Sequence, residues 1–561
     1  MNFFSRLKYS LPTPLNAGLA AISAILLILA FPDFEFWFLA LFALVPLFFA
    51  IEREKESWRK SFFVGWTFGT IFFFGTCYWL THAPITYAGF PWLIAYILMF
   101  FVALTVGIFP AIFGALFSIL LKRFGSYAIL SAPFLWVFTE FLRYWLTGNN
   151  WNAIGYSQAF HPFIVKYANL GGVSLVSFIV CWVNSFVTLL FCSKTLPTQA
   201  DFDKANKNFS EWQKLPAKQK FYIRLKYLAQ CLLPVIILQA AFILAENDQV
   251  SPDNLKSSII AVQPNVPMNG LNYEKYQLLL QRHIELAETA LKQRKTNNDR
   301  PTIVIFPESP MIFQYGRDRE LQEYLKNFAV RNNASVLFNS AEMTANGNRA
   351  FNSAVMINER GEKTAQYDKI HLLPFGEFIP FPEPIASQMP AFVGNFEFGN
   401  EYDLLPFGDA KAGVMICFES HFGELSREYA KRGADVLIEM TNDGYLGNTP
   451  VLRQHLANSV FRAVETNRPV LRVTNVGVTA YINERGEISN AAEVYTEATR
   501  IWTVSKSDGK QTIYVRYGDW FAWLCSLFSL ALLFLSCFWK KSYIYDAKGR
   551  KVAMIRQDSE Q

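Results

Sequence analysis

The sequence predicts a polytopic α-helical membrane protein with an α/β domain inserted before its last membrane span. Hydrophobic residues make up 52% of the 561 residues and charged residues only 17%, and the apolar residues are concentrated in long runs. Between about residues 256 and 506 these runs give way to short apolar strands that alternate with polar helices. The formal net charge is +6, but most of the surplus basic residues flank apolar segments, which indicates membrane orientation and not nucleic-acid binding.

Eight apolar stretches are long enough for a helix to cross a bilayer, which takes about 20 residues. They lie at 15–31, 36–51, 61–80, 90–121, 126–146, 172–193, 226–245 and 519–539. The fourth is long and contains Pro110, so that it could form one tilted or kinked helix or two shorter ones. We count it as one span, because splitting it would place the basic loop 194–222 outside the cell.

The distribution of Lys and Arg sets the predicted orientation. With the N-terminus in the cytoplasm, the basic segments all lie inside, at 52–60, 122–123, 194–222 and in the C-terminal tail after 540. The loops left outside have no basic residue at 32–35 and 81–89, and only Lys166 at 147–171. This arrangement obeys the positive-inside rule. It divides the chain into a seven-helix membrane region (1–246), an extracytoplasmic α/β domain (247–515), and an eighth helix with a basic cytoplasmic tail (516–561).

Within the α/β domain, alternating short strands and amphipathic helices are predicted in order. The strands are predicted at 258–263, 302–306, 335–339, 354–357, 362–367, 413–416, 435–440, 470–474 and 480–482. The helices are predicted at 276–292, 318–332, 421–432 and 452–467. A single domain of about 250 residues is within the usual size range.

Two features of the membrane region leave alternatives open. Trp136, Glu140 and Arg143 lie on one face of the fifth span, where ionisable residues mark either a functional site or a pair that is satisfied against a neighbouring helix. The following outer loop, 148–156, contains the Gly, Trp and Tyr residues that are common at a membrane interface. This loop would either guide a lipid or serve as an anchor at the membrane interface.

Three polar residues are predicted to follow strands of the α/β domain. Cys417 ends the apolar strand 413–416, Glu308 follows the strand 302–306, and Lys369 follows the strand 362–367. The other six cysteines lie in apolar segments, where a thiol usually behaves as a small hydrophobic group. Because ligands collect at the carboxyl ends of strands in open α/β folds, these three side chains can meet in one cleft.

These three side chains are chemically complementary. A thiol with a reference pKa of about 8.5 needs a base or a nearby cation to react at neutral pH. A carboxylate such as Glu308 can accept the thiol proton and return it later. Lys369 can stabilise a developing oxyanion, with the backbone N–H of Phe418 as a second donor. The set predicts acyl transfer through a thioester on Cys417, without a metal or a diffusible cofactor, and the six histidines show no ligand spacing.

The motifs that contain these residues resemble those of a known enzyme superfamily. Phe306-Pro307-Glu308, the stretch from Tyr367 to Glu377 and Ile416-Cys417-Phe418-Glu419 are similar to the Glu-Lys-Cys set of the nitrilase, or carbon–nitrogen hydrolase, superfamily. With the spans around them, the whole chain resembles the apolipoprotein N-acyltransferase family.

The resemblance implies a nitrilase-like four-layer α-β-β-α sandwich on the periplasmic side of a bacterial inner membrane. The acyl donor would be a phospholipid, and the acceptor the α-amine of a diacylglyceryl-modified N-terminal cysteine on an apolipoprotein. Glu308 would be the general base and acid, Lys369 the oxyanion cation and Cys417 the nucleophile. Glu377 would be a second essential glutamate, and Phe418 and Glu419 the pair that follows the nucleophile.

Two other functions fit parts of the sequence. One is a membrane-tethered nitrilase-type amidase that hydrolyses a small amide, with the spans as an anchor. Eight spans are more than tethering needs. The other is a transporter or lipid-binding protein with a catalytically dead domain, against which the retention of Glu308, Lys369 and Cys417 argues.

Overall fold

The computed structural model describes residues 10–191, 256–293, 301–382, 384 and 395–538, together with two short paired strands, Ser542–Tyr545 and Lys551–Ile555. The N-terminal part is entirely helical. Its helices are α1 (Pro14–Ala30), α2 (Ala40–Ala43), α3 (Val45–Arg53), α4 (Trp58–Cys77), α5 (His82–Thr86), α6 (Trp92–Val106), α7 (Ile108–Phe124), α8 (Ala132–Thr147), α9 (Pro162–Val165) and α10 (Ala168–Phe191). One further apolar helix, α16 (Trp520–Phe538), follows the α/β domain.

Among the described residues, four helical stretches are long and apolar enough to cross a membrane. They are Trp58–Thr86, Trp92–Thr147, Ala168–Phe191 and Trp520–Phe538, and Pro14–Ala30 is a shorter apolar helix. The predicted seventh span, 226–245, lies outside the described residues. The total of about eight spans therefore stays a prediction.

The predicted fourth span is a helix that kinks at Gly107. Helices α6 and α7 meet at this residue, whose backbone stays in the right-handed helical region, and both pack along α4. The approach is close, because a Cβ atom added at Gly65 would lie 2.1 Å from the Pro110 carbonyl oxygen. After Gly125 the chain doubles back, and Phe113 of α7 packs against Trp136 of α8 with ring centroids 5.0 Å apart.

The predicted span at 36–51 is broken, in contrast to the expected continuous helix. A short 3-10 helix (Trp37–Leu39) and α2 precede α3, which begins at Val45 with Pro46 in its first turn. Proline has no N–H to continue the preceding helix. Asn184 of α10 satisfies the backbone groups at the break, since its Oδ1 accepts from Leu44 N at 2.8 Å and its Nδ2 donates to Ala40 O at 2.8 Å.

The α/β domain contains two sheets. The first has the strand order β13-β1-β2-β3-β4-β5, with β6 also paired to β4, and the second the order β12-β11-β10-β9-β8-β7. The strands of the first sheet are β1 (Lys256–Gln263), β2 (Thr302–Ile305), β3 (Ser335–Met343), β4 (Ala350–Ile357), β5 (Lys363–Asp368), β6 (Phe396–Glu397) and β13 (Ala498–Ser505). Those of the second are β7 (Leu404–Phe407), β8 (Ala410–Ile416), β9 (Val436–Thr441), β10 (Val470–Thr474), β11 (Ala480–Ile482) and β12 (Ile488–Ser489).

Residues that alternate along the first sheet show how the layers stack. Ile260 and Val304 pack on one side, in a cluster with helices α11 (Tyr273–Gln293) and α12 (Arg319–Asn332). Ile259 and Ile303 face the other way and share a core with the second sheet. Helices α13 (Gly423–Lys431) and α14 (Val451–Thr466) cover the second sheet, and the short α15 (Ile513–Tyr517) leads into α16. The domain is therefore an α-β-β-α sandwich, and the predicted strands and helices agree with it to within a few residues.

The membrane helices and the sandwich form one packed unit. Buried apolar residues of both parts share one continuous core cluster, and Tyr156 of the loop before α9 packs on Phe461 of α14 with ring centroids 4.8 Å apart. Arg453 of α14 forms an ion pair of 2.7 Å with Glu35. Helix α14, which covers the second sheet, therefore sits directly on the helical part.

Candidate active site

Cys417 stands at a sharp bend between β8 and a short helix, Cys417–His421. Its φ angle is +53°, a left-handed conformation that is uncommon for residues other than glycine and is concentrated at functional sites. The bend is braced from within, because Glu419 Oε2 accepts a hydrogen bond from Ile416 N at 2.8 Å. The strand, the bend and the helix together present the thiol at the edge of the sheet.

Glu308 interacts electrostatically with the Cys417 thiol. Glu308 follows β2 of the first sheet, whereas Cys417 follows β8 of the second, and the Glu308 side chain is 12% exposed. Asn352 Nδ2 donates to its Oε1 at 3.0 Å, and Asn442 N donates to its Oε2 at 3.1 Å. Burial raises the pKa of Glu308. The charge of Lys369 acts to lower this pKa, and the charge of Glu377 raises it further. The carboxyl group is thus held in place and made more basic than an exposed glutamate.

Lys369 lies between the two glutamates, with its side chain 1% exposed. Its Nζ is 2.8 Å from Glu377 Oε2 and 4.0 Å from Glu308 Oε1. Burial lowers its pKa, but the charges of Glu377 and Glu308 more than compensate and hold the pKa above its usual range. The lysine is therefore a fixed cation whose direct ion pair is with Glu377.

Asn352 organises the acidic groups and was not predicted from the sequence. Its Nδ2 donates to both Glu308 Oε1 (3.0 Å) and Glu377 Oε1 (2.7 Å), while its backbone O accepts from Lys369 N at 2.9 Å. Asn339 Nδ2 in turn donates to Asn352 Oδ1 at 2.7 Å and fixes the orientation of the amide. One side chain on β4 thus sets the relative positions of the three charged groups.

Glu419 links the loop that carries Lys369 (the lysine loop) to the bend at Cys417. Its Oε1 accepts from Tyr367 OH at 2.7 Å, Ile370 N at 2.7 Å and His371 N at 3.0 Å, whereas its Oε2 accepts from Ile416 N. Burial raises the pKa of Glu419 to about 7, against the lowering effects of Lys369 and these donated hydrogen bonds. The side chain is fully buried and makes a structural link between the strands that carry Lys369 and Cys417.

A buried network of charged groups supports Cys417 from behind. His455 of α14 lies with Nε2 3.0 Å from the Cys417 carbonyl oxygen and Nδ1 2.7 Å from Asp443 Oδ1. Arg472 Nη2 donates to Asp443 Oδ2 at 2.7 Å and also pairs with Glu439. Burial acts to raise the pKa of Asp443, but Arg472 and His455 lower it to about 2. The strained bend is thus held through its backbone by a rigid polar cluster.

The Cys417 thiol lies in a buried, charged environment. Burial and the neighbouring Glu308 charge raise the pKa of Cys417 well above its usual range, although Lys369 and a hydrogen bond with Thr441 act in the opposite direction. These effects favour the neutral thiol of Cys417 over the thiolate.

Phe418, the residue after Cys417, contacts the membrane part of the chain. Its ring stacks on Trp151 of the outer loop at a centroid distance of 6.4 Å and lies 5.7 Å from His421. Trp151 Nε1 donates to Gln454 Oε1 at 3.0 Å, and Arg143 Nη1 donates to Trp151 O at 2.8 Å. The outer loop thus reaches the residue adjacent to the thiol.

The outer loop is held by residues that were predicted to share one face of the fifth span, Trp136, Glu140 and Arg143. Glu140 Oε1 accepts from Trp136 Nε1 at 2.8 Å and from Ile154 N at 2.9 Å. Glu140 and Arg143 thus both bind the 151–154 stretch of the outer loop instead of bonding directly to each other. Arg143 also contacts the neighbouring helix α4, since its guanidinium lies 4.9 Å from the ring centroid of Phe73.

Gln454 is a second residue that sequence reasoning missed. Its Oε1 accepts from Trp79 Nε1 (3.1 Å) and Trp151 Nε1 (3.0 Å), and its Nε2 donates to the backbone oxygen of Thr76 at 2.9 Å. Its neighbour in sequence, His455, faces Cys417. The hydrogen-bond partners are about 300 or more residues away in the chain, so that no local pattern could have identified the role.

A small cleft opens beside Glu308. It is lined by Glu308, Ser309, Ile312, Asn339, Ala341, Asn352, Phe396, Asn442 and Tyr445. The membrane part borders it as well, since Tyr87 OH donates to Gly444 O at 3.3 Å and the Tyr87 and Tyr445 rings lie 6.0 Å apart. All six predicted site residues, Glu308, Lys369, Cys417, Glu377, Phe418 and Glu419, thus belong to one connected region.

Residues 23–186 match the profile of the apolipoprotein N-acyltransferase N-terminal domain, and residues 259–514 match that of the carbon–nitrogen hydrolase domain. An apolipoprotein N-acyltransferase of Geobacter metallireducens is 28% identical over 512 residues, which cover 90% of this chain and 92% of that protein. One from Thermotoga maritima is 27% identical, with 92% and 93% covered.

Solved structures of other proteins also resemble part of this chain, and two of them are described here. Saccharomyces cerevisiae Nit3, a member of branch 10 of the nitrilase superfamily, is 19% identical with a TM-score of 0.36, covering 46% of this chain and 93% of that one. An amidase mutant from Nesterenkonia is 18% identical with a TM-score of 0.35, covering 48% and 96%.

The two profiles match adjoining parts of one chain, in the order helical region and then hydrolase domain, and the full-length relatives cover nearly all of it. The chain therefore belongs to the apolipoprotein N-acyltransferase family, with a catalytic domain of the carbon–nitrogen hydrolase superfamily.

Proposed function

We propose that this protein transfers a fatty acyl group from a phospholipid, through a thioester on Cys417, to the α-amino group of the N-terminal diacylglyceryl-cysteine of an apolipoprotein. The observation that carries the proposal is the buried cluster in which Glu308, held by Asn352 and Asn442, interacts with the Cys417 thiol beside a lysine that is neutralised mainly by Glu377. Because Lys369 is paired elsewhere, the Glu308 carboxylate is left to act on the thiol.

In the first half-reaction, the Cys417 sulfur attacks the ester carbonyl carbon of the phospholipid while Glu308 takes the thiol proton. The oxygen of the tetrahedral intermediate becomes negative and is stabilised by Lys369 and the Phe418 N–H. The ester C–O bond then breaks, and Glu308 gives its proton to the leaving alkoxide oxygen. The products are a lysophospholipid and the acyl thioester.

In the second half-reaction, the amine of the acceptor attacks the thioester carbonyl carbon and Glu308 accepts a proton from the amine nitrogen. The C–S bond breaks, an amide is released and Cys417 regains its proton. The two substrates therefore react in turn through a covalent enzyme, which is ping-pong chemistry. A cleft walled by Tyr87 and Tyr445 next to the membrane helices favours an amine over bulk water.

The placement of the domain follows from the charge distribution. We place residues 247–515 on the periplasmic side of a bacterial inner membrane and both termini in the cytoplasm, in keeping with the basic segments at 52–60 and 122–123. Alkaline phosphatase fused after residue 250 is expected to be active, since it matures only outside the cytoplasm. A fusion that is active only as a cytoplasmic reporter would overturn this orientation.

Intact-mass measurement after incubation with phospholipid tests the chemistry. We expect the wild-type chain to gain the mass of one fatty acyl group that hydroxylamine removes, and Cys417→Ala to gain none. Cys417→Ser should form at most a hydroxylamine-resistant ester. A folded wild-type protein that transfers acyl groups without this adduct would exclude the thioester. A folded protein that neither forms it nor transfers acyl groups would exclude phospholipid as donor.

The amidase alternative, in which the helices serve only as an anchor, is not favoured. Trp151 of the membrane part stacks on Phe418, and Gln454 of the catalytic domain is bound by groups from two membrane-part stretches, 76–79 and the outer loop. An anchor has no need to reach the residue next to the nucleophile. The dead-domain alternative is opposed by the assembled contacts of Glu308, Lys369 and Cys417.

A further inference from the structure

His455 of α14 is a buried side chain that contacts the backbone of Cys417. Both of its ring nitrogens face oxygen atoms. Nδ1 lies 2.7 Å from Asp443 Oδ1. Nε2 lies 3.0 Å from the Cys417 carbonyl oxygen and 3.1 Å from Glu439 Oε1. The number of protons on the ring therefore depends on whether these oxygens can donate a hydrogen bond.

All three oxygens act as acceptors. A carbonyl oxygen has no proton to donate. Asp443 is ionised, since burial acts to raise its pKa but Arg472 and His455 lower it to about 2. Glu439 accepts from Ser459 Oγ and pairs with Arg472. A neutral imidazole, with one N–H and one lone pair, would place a nitrogen lone pair against one of these acceptors, so that the geometry requires the doubly protonated ring.

The charged ring also balances the buried cluster. Asp443 and Glu439 each contribute one negative charge, and Arg472, which pairs with both, contributes one positive charge. The Glu439 and Arg472 side chains are 0% exposed, and a charge left without a partner at such depth is strongly destabilising. The positive charge of His455 makes the cluster neutral.

Two further titratable groups near the ring are neutral and leave this balance unchanged. Burial and the charge of Arg462 lower the pKa of His421 well below its usual range. Burial and the Glu308 charge raise the pKa of the Cys417 thiol well above its usual range. On the outer-loop side lies the indole of Trp151, with ring centroids 5.9 Å apart, and an aromatic ring attracts a cation.

The hydrogen bond from His455 acts on a peptide group that takes part in the proposed mechanism. The Cys417 carbonyl and the Phe418 N–H belong to the same peptide group, and this N–H is the second oxyanion donor. The peptide bond is trans, so that its C=O and N–H point to opposite sides. A partner that holds the oxygen therefore fixes the direction of the N–H.

The peptide group needs such a partner because of the backbone of Cys417. Its φ angle of +53° is a sparsely populated conformation that costs about 1–3 kcal/mol and persists only where the surroundings hold it. A charged donor also forms a stronger hydrogen bond than a neutral one. Since hydrogen bonds in series polarise one another, an imidazolium at the carbonyl oxygen makes the N–H of the same amide a better donor.

We propose that His455 is a positioning residue, held as an imidazolium, that orients and polarises the Cys417–Phe418 peptide group for the oxyanion. It acts through the backbone and not on the substrate itself. Its functional meaning rests on the proposed acyl transfer through Cys417, whereas its protonation state can be measured without any substrate.

Nuclear magnetic resonance of the full-length protein in detergent, labelled with ¹⁵N in its histidines, tests the protonation state. The signals of His455 are assigned by their absence from His455→Gln. At neutral pH we expect a one-bond coupling to hydrogen at both ring nitrogens. A ring nitrogen of His455 without a proton at neutral pH would overturn the proposal.

Two reactions of the Cys417 thiol test the action on the oxyanion. Acylation by p-nitrophenyl butyrate passes through a tetrahedral oxyanion, and the released nitrophenolate reports its rate. Alkylation by iodoacetamide, in which the sulfur displaces iodide, forms no oxyanion. Neither reagent is a phospholipid, so that an error in the proposed acyl donor would not change the comparison.

The double variant Asp443→Asn/His455→Gln is suited to this comparison, because it removes one charge of each sign and keeps the cluster neutral. We expect its acylation to be slower by about tenfold, less than for complete loss of an oxyanion donor, and its alkylation to stay within about twofold of wild type. Unchanged alkylation also shows that the variant has folded around its thiol.

His283→Gln is the matched control. His283 is a buried histidine of α11 whose Nδ1 lies 2.6 Å from a backbone oxygen, that of Leu279, on the far side of the first sheet. Its replacement should leave both rates at the wild-type level. Acylation of the double variant within twofold of wild type would refute the role, as would acylation and alkylation that fall by the same factor.

Discussion

Lys369 Nζ lies 2.8 Å from Glu377 Oε2 but 4.0 Å from the carboxylate of Glu308. The lysine therefore has its direct ion pair with the glutamate that does not contact the thiol. Glu377 also accepts from Leu373 N at 2.8 Å, so that it holds both the cation and the loop that follows it.

Glu377→Gln is expected to slow acyl-enzyme formation by about 100-fold, the lower range for loss of general acid–base catalysis. With Glu377 neutral, Lys369 would pair with Glu308, lower its basicity and compete with the thiol for its oxygens. The rate of the acyl mass gain measures the effect. Glu397→Gln, which removes an exposed carboxylate paired with Arg349 at 3.3 Å, should react at the wild-type rate. An unchanged rate for Glu377→Gln would refute the role.

Asn352→Ala is expected to shift the pH dependence of acylation. In the wild type, acylation should rise with pH as Glu308 loses its proton, through a pKa that burial has raised. The Asn352 amide donates to the charged form of Glu308 and lowers this pKa. Its loss should therefore move the half-maximal pH upward.

Rates of acyl-enzyme formation measured across a pH series check the Asn352 prediction. Asn346→Ala, in an exposed turn, serves as the control and should keep the wild-type profile. A downward shift of the half-maximal pH in Asn352→Ala would contradict the assigned sign.

Glu419→Gln is expected to destabilise the fold by about 2–4 kcal/mol, because an amide cannot accept all four hydrogen bonds and leaves buried donors without partners. Tyr367→Phe removes only one of these donors and should cost about 1 kcal/mol. Denaturant unfolding in detergent compares the two variants. If Glu419→Gln cost no more than Tyr367→Phe, the carboxylate would not be the link between the lysine loop and the bend.

Gln454→Leu keeps the approximate volume of the side chain but removes its hydrogen bonds to the membrane part. Trp151 Nε1 would lose its partner, and we expect a loss of stability of about 2–4 kcal/mol. The Trp151–Phe418 stack should loosen and acylation should slow. Thermal unfolding and acylation rates measure the two effects, with the exposed Gln281→Leu on α11 as control. Equal behaviour of the two variants would show that Gln454 does not couple the two parts.

The positions of Glu308, Lys369 and Cys417 could be predicted because each follows a strand directly, β2, β5 and β8 respectively. The carboxyl ends of strands in a sandwich meet at one edge, so local periodicity was sufficient to bring the three together. The strands themselves were recognisable as short apolar runs between polar helices.

Asn352 and Gln454 could not be found in this way, since each lies inside an element and acts on distant parts of the chain. Asn352 depends on the register of β4 with its neighbours, which a single sequence does not specify. The break in the predicted span 36–51 did have a local signal in Pro46, but its stabilisation by Asn184 depends on a helix about 140 residues later.

Helix α14 has consequences for how the enzyme can be handled. Every residue from Val451 to Thr466 is buried except Arg453, whose guanidinium is bound by Glu35 of the membrane part. A fragment limited to 247–515 would expose this helix and the Trp151 side of Phe418 to water. Truncation to a water-soluble hydrolase is therefore expected to give aggregated protein, and expression of the intact chain with lipid or detergent is required for any biochemical work.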